Sequence, residues 1–163
     1  MARTGARSGT GRRRTLWALA LATAVVAVVG LLPGTASAQG SIGWIDVNIR
    51  RQQAIAYSPD GELLRRIPIS SGANGRTPTG RYAISRKSAT TVSTTDPRVS
   101  MRWMSNFNGG IGFHGIPRKN GVALSTPLGQ RAVSHGCIRM SDENAKWIFD
   151  NAPIGTRVNV FAK

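Results

Sequence analysis

The chain has 163 residues, with 22 Lys and Arg against seven Asp and Glu, one Cys and two His. That length suits one domain with a modest core, and a lone cysteine excludes an internal disulfide framework. The net charge of +15 invites a nucleic-acid reading. However, the basic residues lie singly or in pairs such as Arg65-Arg66 and Arg86-Lys87, with no aromatic-interleaved stripe, which argues against nucleic acid and for a general attraction to an anionic wall or membrane surface.

Residues 1–38 read as a targeting segment. Arg3, Arg7, Arg12, Arg13 and Arg14 form a positive head without acidic residues, and Leu16 to Leu32 is an apolar run ended by Pro33-Gly34. Ala36-Ser37-Ala38 then gives the small-x-small pattern of a signal-peptidase site, with cleavage expected before Gln39. The run sits at the lower limit for a membrane span, about 17 residues, so an uncleaved anchor is the competing reading. Arg13-Arg14 admits the twin-arginine route beside ordinary secretion. Removing five of the 22 basic residues and none of the seven acidic ones leaves +10 for residues 39–163. An exported product belongs in the periplasm or cell wall.

Residues 39–163 read as a single, mainly β domain. Ile45, Val47 and Ile49 alternate with Asp46, Asn48 and Arg50, the period of a half-buried strand. Gln53 to Tyr57 is a second strand, Ser58-Pro59-Asp60-Gly61 a turn, and Glu62 to Ser70 a third strand. Ser71 to Gly75 is loop, Thr77-Pro78-Thr79-Gly80 a rigid turn, and Arg81 to Ser85 a strand. Lys87 to Val99, rich in Ser and Thr, is expected to be an exposed loop, either a flap over a cleft or plain surface. Met101 to Met104 leads through a hairpin-like turn at Asn106 to Gly110 into the strand Ile111 to His114. Lys119-Asn120-Gly121 is a turn, and Ser125 to Gly129 an extended loop. Ser141 is a good N-cap with Asp142 and Glu143 in the first helical turn. Ala145, Ile148 and Phe149 share the apolar face of that helix through about Asp150, and Thr156 to Phe161 alternates as a last strand.

The chemistry is expected where the sole cysteine and both histidines gather, at Phe113-His114-Gly115 and Ser134-His135-Gly136-Cys137-Ile138-Arg139. A thiol becomes a nucleophile as thiolate, and histidine is the side chain suited to take its proton near neutral pH. The bland alternative is an inert buried cysteine with incidental histidines. An unpaired thiol in an oxidising compartment is, however, at risk of oxidation, and is easier to understand with a task.

His114-Gly115-Ile116, a spacer of seventeen residues, then Ser134-His135-Gly136-Cys137-Ile138-Arg139 resembles the signature of the L,D-transpeptidase catalytic domain, the YkuD-like family. The order of strands, Ser71-Gly72, Thr77-Pro78-Thr79-Gly80 and Ser125 to Gly129 is similar to that family as well. The resemblance implies a mixed β-sandwich or barrel-like sheet with one or two short helices. It also implies a cysteine acyltransferase acting on peptidoglycan stem peptides, with no cofactor and no metal. Two His and one Cys are three zinc-type ligands, but no nearby Asp or Glu completes a set.

By the same carry-over His114 is the base, its ring held by the backbone carbonyl of Gly115, and His135 is a supporting group. If the Cys137 segment is extended, His135 and Cys137 share a face, so geometry leaves both histidines open as base. The N–H groups of Gly136 and Cys137 are expected to form an oxyanion hole, with Ser134 supporting the loop. Arg139 is expected either to bind a substrate carboxylate through its planar fork or to make a structural salt bridge. Trp103 and Met104 default to core, and the resemblance implies that one of them lines the groove. Water as acceptor would make the chain an L,D-carboxypeptidase, a protein amine would attach that protein to the wall, and an idle site would leave a peptidoglycan-binding module.

Overall fold

The computed structural model describes residues 41–163. The segment read as a signal peptide, residues 1–38, and its expected cleavage point lie outside the described residues. Strands β1 (Trp44–Asn48) and β2 (Gln53–Tyr57) each alternate buried and half-buried residues, as their period-two pattern requires. Asn48 closes the connection between them, its Oδ1 accepting from the N–H groups of Arg50 and Arg51 at 3.1 and 3.0 Å. Strand β3 (Leu63–Pro68) returns after the Ser58 to Gly61 turn, where Gly61 takes φ +91°. Strand β4 is Gly80–Ala83.

Five short strands and one long one build the second sheet: β5 (Arg86–Val92), β6 (Val99–Asn108), β7 (Ile111–His114), β8 (Arg118–Lys119), β9 (Val122–Ala123) and β10 (Ile138–Arg139). Helix α1 (Asp142–Asn151) and strand β11 (Arg157–Phe161) complete the described chain. Strand β11 inserts between β1 and β4, parallel to β1, so the first sheet runs β3-β2-β1-β11-β4. In the second, β6 is the spine, pairing with β5, β7 and β8, and β10 adds to β7 in parallel.

Ile45, Val47, Ile67, Val158 and Val160 of the first sheet join Phe107, Phe113 and Ile138 of the second, with Ala145 and Ile148 of α1, in one core cluster. Burial of this apolar area is the main stabilising term, at about 25 cal/mol per Å². Ser141 caps α1, its Oγ accepting from the Asn144 N–H at 3.2 Å. At the other end Lys87 Nζ donates to the Ala152 carbonyl at 2.9 Å, where a cation suits the helix dipole. The mainly β class with one short helix is as the pattern implied, and a 3-10 turn at Ala73–Gly75 is added.

Two expectations are corrected. The segment Lys87 to Val99 is not all loop, since Arg86–Val92 pairs with β6 from Arg86↔Asn106 to Val92↔Ser100. Its Ser and Thr are mostly exposed or half-exposed on both faces, so no hydrophobic alternation betrays the strand. The hairpin turn is also shorter than expected: Asn106 and Asn108 belong to β6, and only Gly109-Gly110 turns.

Candidate active site

Between β9 and β10 the chain has no regular strand, so the Cys137 segment takes its shape from contacts with residues 69–77. Ser134 N–H donates to Ser71 O at 3.0 Å, and Ala73 N–H donates to Ser134 O at 2.9 Å. Ser70 and Arg139 exchange both backbone hydrogen bonds at 2.9 Å. Buried Gln52 fixes this loop in turn, accepting from Ser71 N–H and donating to Ser71 Oγ, each at 2.8 Å. Thr77 Oγ1 accepts from Gly72 N–H and donates to Gly136 O, both at 2.7 Å and both buried. A Cβ on Gly72 would stand 2.9 Å from the Gly136 Cα, so this close approach of two backbones requires glycine.

Gly136 holds φ +142° just before the cysteine. Its N–H donates to Ser134 Oγ at 3.0 Å, and the Ser134 hydroxyl donates to the Cys137 carbonyl at 2.5 Å. The expected pair of oxyanion donors is therefore reduced. Gly136 N–H is already taken, whereas Cys137 N–H has no acceptor among the described residues. Ser134 Oγ thereby bridges the Gly136 N–H and the Cys137 carbonyl.

Cys137 Sγ lies against the β6–β7 turn, donating to Gly110 O at 3.6 Å and accepting from the Gly112 N–H. Burial pushes the thiol above its ordinary range, while the Gly112 N–H and the Arg139 charge pull it down. His114 is 1% exposed on β7, in register with Arg139 of β10. Its Nδ1–H donates to the Gly115 carbonyl at 2.7 Å, which leaves Nε2 as the basic nitrogen. Burial drives its pKa down to about 4; the Gly115 bond and Asp142 oppose this, and Arg139 adds to it. At neutral pH the pair thus rests as neutral thiol and neutral imidazole.

Arg139 is half-buried, makes no ion pair among the described residues, and has its Nε shut from solvent without an acceptor. A structural salt bridge is thereby ruled out for it. His135 is exposed and forms no hydrogen bond among the described residues, unlike His114.

Ser105 and Phe107 of β6 face the core with Phe113, and Trp103 shares that side, set edge-on to Phe149 of α1 at 5.5 Å. Met104 and Asn106 take the opposite face, that of Gly112 and His114, and Met104 is buried outside the main core cluster. Of the two groove candidates, Met104 shares the face of Gly112 and His114, and Trp103 packs on α1.

Two residues do more than their local sequence signals announce. Thr77 bridges Gly72 to Gly136. Asp142, at the start of α1, accepts from Ile116 N–H at 2.9 Å and holds Arg118 at 2.6 Å, tying the helix to the chain just after His114. A polar residue beside a proline and an acid at a helix start were the only sequence signals, and both have common local explanations. A groove of about 700 Å³ lined by Asp46, Arg81, Tyr82, Arg157, Asn159 and Lys163 lies on the first sheet and includes none of these groups.

A family model described as the L,D-transpeptidase catalytic domain, YkuD, matches residues 42–160. The chain is 33% identical over 126 residues to YciB of Bacillus subtilis, which bears an L,D-transpeptidase name; the match covers 71% of this chain and 63% of that protein. It is 30% identical over 113 residues to L,D-transpeptidase 1 of Mycobacterium tuberculosis, covering 63% of this chain and 44% of that one. The chain thus spans under two thirds of the length of these curated relatives. Among solved structures, an L,D-transpeptidase from Xylanimonas cellulosilytica superposes with a TM-score of 0.60 at 26% identity, covering 75% of this chain and 61% of that one. The L,D-transpeptidase LdtMt1, solved in complex with imipenem, superposes at 0.62 with 24% identity, over 74% and 59% of the two chains, a likeness of fold.

Proposed function

The chain belongs to the YkuD family of L,D-transpeptidase catalytic domains, and from that premise we propose that it is an exported cysteine acyltransferase of peptidoglycan stem peptides. The observation that carries the reading is the His114–Cys137 arrangement. A thiol is set against the β6–β7 turn, and a buried imidazole on the adjoining strand has Nδ1–H fixed and Nε2 basic.

His114 Nε2 takes the Cys137 proton as sulfur attacks the carbonyl between an L-centre and a terminal D-amino acid. The Cys137 N–H donates to the oxyanion that develops. The C–N bond then breaks, the leaving amine receives the proton from His114, and a thioester remains on Cys137. An amine of a second stem attacks the thioester, its proton passes to His114, and the departing thiolate recovers that proton. Arg139, which has no ion pair among the described residues, pairs with a stem carboxylate.

Residues 1–38 direct export and are removed after Ala38. The +10 charge left on residues 39–163 draws the enzyme to the anionic wall.

The test is intact-mass measurement of residues 39–163 after incubation with a carbapenem, with Cys137→Ala as control. A stable adduct on the wild type alone is expected. No adduct on a folded protein with a reduced thiol would turn the assignment toward a non-catalytic wall-binding module. Product analysis with a stem-peptide donor then separates amine from water as acceptor.

A further inference from the structure

Asn106 is 3% exposed, yet its side-chain amide makes no hydrogen bond among the described residues. Neither amide atom is among the fully buried unpaired ones, so what exposure the residue keeps includes its polar tip. The side chain is thus enclosed by protein except at its tip, where the amide has no protein partner and is open to a ligand. Its position names the place. Asn106 is opposite Gly112 across the β6–β7 ladder, and the Gly112 N–H is the group that reaches Cys137 Sγ. The strands press together so closely there that a Cβ on Gly112 would stand 2.8 Å from Asn106 Cα. This close approach of two backbones requires glycine at 112, the residue of β7 that lies between Asn106 of β6 and the cysteine segment beside β10. Met104, two residues back on the same face, gives the amide an apolar buried neighbour rather than a polar one.

Resting on the acyl-transfer reading, we infer that Asn106 is a positioning residue for the acyl donor. Its Nδ2–H donates to a backbone carbonyl of the stem peptide and its Oδ1 accepts the matching N–H. A neutral amide carries both a donor and an acceptor, which complements a peptide unit; a carboxylate would offer acceptors only.

The experiment compares wild type, Asn106→Leu and Asn106→Asp, using a synthetic tetrapeptide stem with an amine acceptor. Iodoacetamide alkylation of Cys137 reports the thiol without the donor. Asn106→Leu keeps the branched shape of the side chain, removes its donor and acceptor, and is expected to lower kcat/KM for the peptide on the order of tenfold, with alkylation within about twofold of wild type. Asn106→Asp, ionised at neutral pH, retains acceptors and loses the donor, and its KM there is expected to fall between wild type and the Leu variant. Unchanged peptide kinetics in Asn106→Leu would overturn the inference. So would an equal loss of peptide turnover and alkylation, which would mark Asn106 as a support of the thiol or the fold. A wild type that is alkylated but does not turn over the peptide would instead remove the acyl-transfer reading and this inference with it.

Discussion

Gly115 has no room for a side chain, because the Asp142 carboxylate occupies the space its Cβ would take. The same carboxylate holds Ile116 N–H and Arg118, while the Gly115 carbonyl holds His114 Nδ1. The imidazole anchor and the start of α1 are thus fitted against each other. Gly115→Ala is expected to displace one of them and lower peptide turnover by about tenfold or more through a misaligned base. Gly115→Ala combined with Asp142→Ala makes space and should recover part of the loss. Turnover of Gly115→Ala equal to wild type would show that the anchor tolerates the shift.

Stability should depend on pH through His114. Its folded pKa of about 4 lies below the ordinary 6.5, so between these values the unfolded chain binds the extra proton. The protein then loses stability as pH falls through that window, by about 3 kcal/mol in all, from the size of the shift. Urea unfolding at pH 7 and pH 4 measures this, and His114→Gln is expected to flatten the slope. An equal slope in the variant would place the proton elsewhere.

Arg139 lowers both the thiol and the imidazole. Arg139→Gln should therefore move the alkylation midpoint of Cys137 to higher pH and slow alkylation at pH 8 by about three- to tenfold. The acid limb of peptide turnover should rise with it, since His114 then protonates more readily. A variant whose thiol titrates like wild type would separate Arg139 from the thiol and leave it a substrate contact alone.

Thr77→Val keeps the shape of the side chain and strips both its hydrogen bonds. Gly72 N–H and Gly136 O would then be buried without partners, at a cost of about 2–4 kcal/mol. Thermal unfolding should show the loss, and turnover should fall because Gly136 shapes the entry to Cys137. A melting temperature unchanged from wild type would contradict the assigned role of Thr77.

Much of the first sheet was legible because its strands bury one face. Ile45 and Val47, Ala54 and Ala56, and Val158 and Val160 announce that face by alternation. Helix α1 was legible from Ser141 and its acidic first turn, and the cysteine–histidine cluster from the scarcity of both residue types. Strand β5 was hidden because an edge strand with polar residues on both faces carries no period. Asn106 read as turn because Asn and Gly crowd together there, although only the glycines turn. The choice between Trp103 and Met104 depends on strand parity, which a positive φ of 58° at Trp103 and a bulge near Asn106 obscure. That Ser134 claims the Gly136 N–H is a side-chain choice made in the folded loop, with no trace in spacing.

The pairing of β1 with β11 joins positions 113 residues apart, as in the hydrogen bond from Asn159 to Asp46. Since β11 also carries β4, the first sheet is split until the last strand arrives. The rim that shapes the cysteine loop, through Gln52 and residues 69–77, hangs from that sheet. A chain interrupted before Arg157 would carry every residue of the reactive cluster and still lack the frame that orders it. Such long-range closure is slow compared with local pairing, so the setting of the thiol depends on a strand that the chain supplies last.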